Sequence, residues 1–584
     1  MVTAGYKQNA GHSAEDRPDR AWFDFCPGLV FCPAMSSQRI WATLDPFVEQ
    51  GPVMGRTVAN AGFLDGLFGL DPFEAYHFFP ASQGACQSLA EVLSQAWPGL
   101  WAQGKIKIFT REALPRALEG QEYYVFHLSD CIMSPAYLAC LRNAHAGKIF
   151  PITAVTHSLS YTRYAQEFLK HLQPGTTPRD ALVATSRTAE QVVRNYYEVL
   201  RANYGLSREA FPQPRVARIP LGVDLRQFRP PDQGTKAQAR RNLGYGSEVV
   251  FLILSRLSHS SKMDFLPVLR AFQRLFQDGL PRDGVRLVLA GWTDDDGWGR
   301  QTLSNLAANI GLELTVVSRP DEALKGSLYQ AADVFLSPAD NLQETFGLTL
   351  LEAQAMGLPV IASDFDGYRD LVEPEVTGFL TPTIGPAETE ALDRLAPLFF
   401  DSQTHLLLSQ RLAVDVPGLA RAMADLIRNP EKRQEMGRAA VGHAREFSWP
   451  RIIESHLTLW EELWAAEVPG RPAAGLHPLA VPYARVFAGY PTVLLGPESL
   501  VKASRLGQAV YRGQDFPIVH AGLEAVLDTG VLRALLVLGR RPVTVGELCA
   551  KLAQTRGGLS QEDAQAHILW SLKHDLLERL DDSA

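Results

Sequence analysis

Between about residues 52 and 235, apolar runs of four or five residues alternate with longer stretches whose apolar positions recur at helical spacing. The runs at 76–79, 105–109, 123–127, 152–155, 181–184 and 216–219 predict strands, with helices such as SLAEVLSQAW and TAEQVVRNYYEVLRANYG between them. That alternation is the pattern of βαβ units, which build a parallel sheet. A polar segment rich in glycine and charge, PPDQGTKAQARRNLGYG at 230–246, marks a boundary. A second series follows: EVVFLILSR, a helix through PVLRAFQRLF, VRLVLAGW, a helix through SNLAANIGL, LTVVS, a short helix GSLYQAA, DVFLSPA, a helix LTLLEAQAMG, and LPVIASD. Its strands are nearly continuous apolar runs, as expected of a parallel sheet covered by helices on both faces.

Beyond the second series, FSWPRIIESHLTLWEELW predicts a helix to about residue 464, and the prolines and glycines of EVPGRPAAGLHPLAVP predict a linker. From about residue 516 the tail reads as three helices, VLRALLVLG, VGELCAKLAQ and SQEDAQAHILWSLKHDLLERL, the last capped by Ser560. It resembles a winged-helix module. The expected organisation is therefore α/β, with one Rossmann-like domain over 1–235, a second over 236–445, a helix at 446–466, a linker at 467–515 and a small, mostly helical module at 516–584. The first fifty residues are unassigned, because FCPGLVFCPAM fits either a strand or an added lobe.

Composition narrows the class. With 584 residues the chain exceeds what one core organises, and 46% hydrophobic with 21% charged residues is ordinary for a globular protein. No stretch approaches the ~20 uncharged apolar residues of a membrane span. The first twenty residues lack the apolar core of a signal peptide, which predicts a cytoplasmic location. Six cysteines, Cys26, Cys32, Cys86, Cys131, Cys140 and Cys549, show no metal-ligand spacing and fit a reducing compartment. A net charge of −8 argues against nucleic-acid binding. The aromatics of FLDGLFGLDPFEAYHFF are expected to fill the core, the alternative being an acceptor patch or a peripheral membrane contact.

The stretch DVFLSPADNLQETFGLTLLEAQAMGLPVIASD, residues 333–364, carries the chemistry. A strand ends near Pro338, a loop presents Glu344, and Gly347 opens a helix with Glu352 in its second turn. In open α/β sheets ligands lie outside the carboxyl ends of strands, where this loop must be. A helix N-terminus there offers free N–H groups and partial positive charge to a phosphate, and Gly347 permits close backbone approach. Two acids eight apart are weak evidence alone among 64; the strand, loop, glycine and helix around them give the pair its meaning.

These residues resemble glycosyltransferase family 4, retaining enzymes with the GT-B fold of two facing Rossmann-like domains, whose E-x7-E motif matches Glu344 and Glu352. ILSRLSHSSKMDFLPVLRAF looks like the family's strand followed by an Arg and a Lys, which implies that Arg256 and Lys262 bind the donor diphosphate. TAVTHSLS places His157 where the family has a histidine beside the reacting sugar. SDFDGYRDLV with VTGFLTP, DALVATS and RIPLGVDLRQF extend the match over about 55–465. The resemblance implies an acceptor domain at 1–235, a donor domain at 236–445 and a crossover helix at 446–466. It further implies His157 and Glu344 as catalytic residues, and Arg256, Lys262, Phe346, Gly347, Leu348, Thr349 and Glu352 as donor-binding. The implied reaction moves a sugar from a nucleotide diphosphate sugar to a hydroxyl with retention. Fixed cations would stabilise the leaving diphosphate, so no metal or other cofactor is expected. Met263 stands where the family usually has Gly, and the usual glycine-rich N-terminal loop is not evident; these departures bear on the acceptor side.

The acceptor is unidentified: a glycan, a lipid-linked sugar, a peptide or a small molecule. Other readings are a GT-B nucleotide-sugar epimerase or phosphorylase, and a silent sugar-nucleotide sensor. His127, in YYVFHLSD, fits either a substrate contact or a structural place at a strand end. The tail's basic residues are outnumbered by its acids, which disfavours DNA and leaves a protein partner or self-association through 516–584 as the expectation.

Overall fold

The computed structural model describes residues 39–48, 55–292, 298–520, 523, 526–555 and 559–580; FCPGLVFCPAM lies outside them. Seven strands, β1 (Ile40–Thr43), β2 (Ala75–Phe78), β3 (Ile106–Ile108), β4 (Val125–Leu128), β5 (Ile152–Val155), β6 (Asp180–Ala184) and β7 (Arg215–Arg218), form a parallel sheet in the order β3-β2-β1-β4-β5-β6-β7. Six more, β8 (Val249–Leu254), β9 (Val285–Gly291), β10 (Glu313–Ser318), β11 (Val334–Ser337), β12 (Val360–Ser363) and β13 (Gly378–Thr381), form another in the order β10-β9-β8-β11-β12-β13. Each sheet begins in its middle and reverses direction beside its first strand, between β1 and β4 and between β8 and β11. Crevices at such reversals are where open α/β sheets hold ligands.

Both sheets are buried on both faces, so side-chain alternation sorts residues between two apolar layers rather than between core and water. In β1, Ile40 and Ala42 join one layer while Trp41 enters the other. In β8, Phe251 and Ile253 face one layer and Val250, Leu252 and Leu254 the opposite one. This is the GT-B arrangement of two Rossmann-like sheets. The aromatic stretch after residue 62 is core: Phe63, Leu64, Leu67, Phe68, Phe73, Tyr76, Phe78 and Phe79 are all buried.

The helix Trp449–Ala465 follows the second series in sequence but packs on the first sheet, where Trp449, Ile453, Trp460 and Leu463 share a layer with Trp41 and Phe63. Trp449 is seated between two glycines: a Cβ on Gly62 or Gly222 would lie 2.5 or 2.4 Å from its ring. His127 belongs to this layer. It is wholly buried, its Nδ1 is 2.8 Å from Thr153 Oγ1, and its ring stacks on Phe63. Of the two readings of His127, the structure shows the structural one.

Three features differ from the expectation. The central strand β1, IWAT, falls among the residues left unassigned; strands as short are legible further on because helical stretches alternate with them. The expected linker at 467–515 contains the strand Leu500–Ala503 and the helix Arg505–Tyr511. The last expected helix stops at Lys573; Asp575 takes a positive φ of 53°, and Leu577–Leu580 becomes a strand. It pairs antiparallel with Leu500–Ala503, which also pairs with Val543–Thr544, so the tail module is a three-stranded sheet with helices. Among the described residues no helix is long and apolar enough to cross a membrane.

Candidate functional site

The loop after β11 carries the site because Gly347 lets the chain turn. Its φ of 107° is left-handed, and it forms the N-cap of the helix Leu348–Ala355 with no side-chain hydrogen bond to the helix start. A Cβ at this position would also come within 2.5 Å of the Tyr368 ring, so space and conformation both demand glycine.

Glu344 is almost wholly buried, at 9% exposure. Its Oε2 receives hydrogen bonds from Lys262 Nζ and, at 3.0 Å, from the Tyr368 hydroxyl; its Oε1 faces the N–H groups of Thr345 at 3.2 Å and Phe346 at 3.4 Å. Burial pushes the carboxyl pKa up. The Lys262 charge and these hydrogen bonds outweigh burial, and the net shift is downward. Two neighbouring acids go the other way. Burial lifts Asp340 to about 7, while burial and the Glu344 charge raise Asp366. One carboxylate is thus stabilised as an anion between acids that burial favours in protonated form.

Arg256, just past β8, donates to Gln343 Oε1 at 3.1 Å and to the Ser261 carbonyl at 3.2 Å. Asn341 donates to the Ser260 carbonyl at 3.0 Å, which joins the 258–262 loop to the 340–346 loop. Arg256, Lys262 and Glu344 are therefore brought together, with Phe346 to Thr349 at the adjoining helix start. Glu352 is placed differently: Lys325 holds its Oε1 at 3.0 Å and the Tyr329 hydroxyl its Oε2 at 2.8 Å, within the helix pair of the second domain. Met263 is fully buried in the core, so a side chain at that position serves packing.

His157, beyond β5, donates from Nε2 to the Ser129 carbonyl at 2.8 Å, which fixes the ring against the loop after β4. The loop it begins touches the second domain. Ser158 Oγ donates to the Gln343 carbonyl at 2.8 Å, and Ser186, the N-cap of the helix Arg187–Tyr204, donates to the Thr345 carbonyl at 3.0 Å. The residues flanking Glu344 are thus held from the first domain. Among the described residues there is no group of three or more His, Cys, Asp or Glu side chains suited to a metal ion.

Sequence reasoning missed Gln343, Tyr368, Lys325 and Tyr329 as partners of the site residues. Gln343 carried a signal in its place beside the motif glutamate and Tyr368 in the matched segment SDFDGYRDLV; Lys325 and Tyr329 come from a helix whose pairing depends on the tertiary fold.

Residues 235–396 match the family model described as glycosyl transferases group 1. A D-inositol 3-phosphate glycosyltransferase of Saccharomonospora viridis is 32% identical over 290 residues, 49% of this chain and 56% of that protein. Another from Actinosynnema mirum is 34% identical over 255 residues, 42% of this chain and 51% of that one. The matches thus span about half the length of these curated relatives. A crystal structure of a glycosyltransferase from Rickettsia africae superposes with a TM-score of 0.50 at 14% identity, covering 74% of this chain and all of that one, which is a likeness of fold.

Proposed function

We propose that this chain, whose residues 235–396 match the family model of glycosyl transferases group 1, moves a sugar from a nucleotide diphosphate sugar to a hydroxyl acceptor with retention and without a metal. The observation that carries this reading is the cluster of Arg256, Lys262 and Glu344 at the start of the helix Leu348–Ala355. Loss of a nucleoside diphosphate builds negative charge on its terminal phosphate. Arg256, Lys262 and the helix N–H groups are fixed positive partners for that charge and need no reorganisation as it forms. An ammonium has three donors, so Lys262 can serve Glu344 and a phosphate oxygen together.

Glu344, kept anionic, suits the hydroxyls of the transferred sugar and the positive charge that grows at its anomeric carbon. His157 lies on the facing domain, and the next residue, Ser158, donates to the carbonyl of Gln343 beside Glu344. Glu352 suits the ribose, since each carboxylate oxygen accepts more than the one bond it now receives. The departing phosphate is the base for the incoming hydroxyl on the same face, which is the origin of retention.

The test combines a thermal-shift screen of nucleotide sugars with product analysis by NMR in excess chelator. A phosphorylated cyclitol belongs among the acceptors, given the names of the two relatives. The expected result is transfer with the donor's anomeric configuration kept and chelator without effect. Glu344→Gln should lower turnover about a hundredfold while calorimetric binding of the free diphosphate persists. An inverted product, or Glu344→Gln with unchanged turnover and lost diphosphate binding, would overturn the assignment.

A further inference from the structure

A short antiparallel pair, Thr383–Ile384 with Ala413–Val414, closes the base of an excursion at residues 385–412. The group 1 match ends at 396, before the helix Asp401–Ser409 within it. Much of the excursion faces water, with Leu398 at 79% and Phe400 at 87% exposure, yet Thr404, His405 and Ser409 are buried. His405, and Asp401 of the same helix, make contacts across the two domains. Asp401 Oδ1 accepts from the N–H and hydroxyl of Thr162 at 2.9 and 2.8 Å. The Tyr161 ring meets His405 edge-on at 5.4 Å.

The hydrogen bonds of His405 have one consistent polarity. Its Nε2 lies 2.9 Å from the Ser160 hydroxyl, which can donate or accept, and 3.1 Å from the Ser160 carbonyl oxygen, which can only accept; a proton on Nε2 serves both oxygens, and the Gln343 side of the ring selects that tautomer. In the neutral ring Nδ1 is then an acceptor, and it takes the Gln343 Nε2–H at 2.9 Å. With its nitrogen toward His405, Gln343 turns its oxygen toward Arg256, which donates at 3.1 Å. The opposite tautomer would flip the amide and set NH2 against guanidinium, two donors with nothing to accept. Burial keeps His405 neutral with help from the Arg256 charge, against the pull of the Ser160 carbonyl and Asp401.

We propose that His405 is a positioning residue: it fixes the orientation of the Gln343 amide and through it holds Arg256 ready to grip the donor diphosphate. The chain Ser160, His405, Gln343, Arg256 runs from the facing domain into the site. The inference rests on the diphosphate role proposed for Arg256.

The experiment is calorimetric titration of the full-length protein with UDP, GDP and ADP, using whichever binds most tightly. His405→Phe keeps the ring volume and removes the acceptor, whereas His405→Asn places Oδ1 where Nδ1 stood. The first should weaken binding about tenfold, and the second should stay within about threefold of wild type. Gln343→Leu should match His405→Phe, and the double variant should lose little more, because both cut one chain. Asp401→Ala removes the contact to Thr162 while leaving the hydrogen bonds of Gln343 to His405 and Arg256 in place, and is the control for a merely structural role. Should His405→Phe fail to fold, the Asn and Gln343 variants still decide.

Equal losses in His405→Asn and His405→Phe, or additive losses in the double variant, would overturn the inference. So would a loss in Asp401→Ala as large as that in His405→Phe. If Arg256→Ala weakens binding at least tenfold while His405→Phe does not, the positioning role falls and the diphosphate reading stands. If none of the diphosphates binds wild type, or Arg256→Ala binds as well as wild type, the diphosphate reading itself falls and the inference with it.

Discussion

The two halves of the molecule share a strand order but differ in what fills them. The first sheet is packed with aromatics and with wholly or nearly wholly buried histidines, His77, His127, His171 and His456 among them. The second is mainly aliphatic, and its buried charges gather in the loop where Glu344 meets Lys262 or pair as Glu352 with Lys325. In the first half buried histidines are threaded through the core and stay neutral, beside the buried ion pair of Arg142 with Asp180. In the second, buried carboxylates are matched by cations, Glu344 by Lys262, Glu352 by Lys325 and Asp333 by Lys236 and Arg240.

The largest consequence is a difference in acid tolerance. Burial lowers His77 and His171 to about 4 and His456 to about 3, and His127 well below its ordinary value, with the facing His456 adding to the effect on His127. The unfolded chain takes up these protons near pH 6.5 and the folded chain refuses them. The stability they contribute is full above that pH and falls by about 1.4 kcal/mol per unit for each histidine as pH drops toward 4. Asp333 and Glu248 of the second half are lowered carboxylates, despite burial, through Lys236 and Arg286, and they lose their contribution only below the ordinary carboxylate range. Hydrogen exchange followed from pH 7 to 5 should therefore show peptides of the first sheet losing protection first. Simultaneous loss in both halves would break the comparison.

Next in size is Trp460→Ala. The indole is fully buried beside His127 and His456, and its Nε1–H donates to Thr153 Oγ1 at 3.0 Å, the same hydroxyl that serves His127. Removing a buried tryptophan costs about 3–5 kcal/mol. Denaturant unfolding should record that loss, with exchange concentrated in the first sheet although Trp460 follows the second in sequence.

The halves also differed in how far they could be read. Strands of the second series were legible because runs such as VVFLIL and VRLVLAG are long and uniformly apolar, and Glu344 sat in a loop whose glycine announced the turn. In the first, β1 was missed because no alternating series precedes it in the first fifty residues, and His127 was undecided because a strand-end histidine reads alike whether it meets a sugar or Phe63. Glu344 came from a local pattern, and Arg256 and Lys262 from the family resemblance; the contacts of Gln343, Tyr368 and His405 came from neither, since they join residues 24 to 87 positions apart. The tail misread has a local cause. DLLERL continues a helical apolar rhythm, but Asp575 adopts a left-handed φ and turns the segment back to a sheet.

A smaller effect is expected at the glycine that opens the motif helix. Gly347→Ala adds a Cβ at a φ of 107° and 2.5 Å from Tyr368, so the backbone must shift at a cost of about 1–3 kcal/mol. The displaced Tyr368 also loosens its bond to Glu344. Melting should show the modest stability loss, and transfer rates, once donor and acceptor are known, should fall by more than stability alone accounts for. An unchanged rate would place Gly347 among packing residues only.

The smallest effect belongs to a contact that looks strong on paper. Arg187 in the first domain reaches Asp370 in the second through its Nε and its backbone N–H, and donates to the Arg369 carbonyl at 3.1 Å. Its side chain is 63% exposed, so water and salt screen the charge, and surface pairs of this kind contribute about 0–1 kcal/mol. The backbone N–H bond survives truncation of the side chain, which reduces the loss further. The buried Ser186 contact one residue earlier, by contrast, would leave the Thr345 carbonyl without its donor if removed. Arg187→Ala should thus change stability by less than about 1 kcal/mol, and the change should vanish in about 1 M salt, while Ser186→Ala, which also loses the helix cap at Ala189, should cost more and be insensitive to salt. If Arg187→Ala proved the costlier of the two at every ionic strength, the domains would be held by their exposed rim rather than by the buried contacts around Glu344.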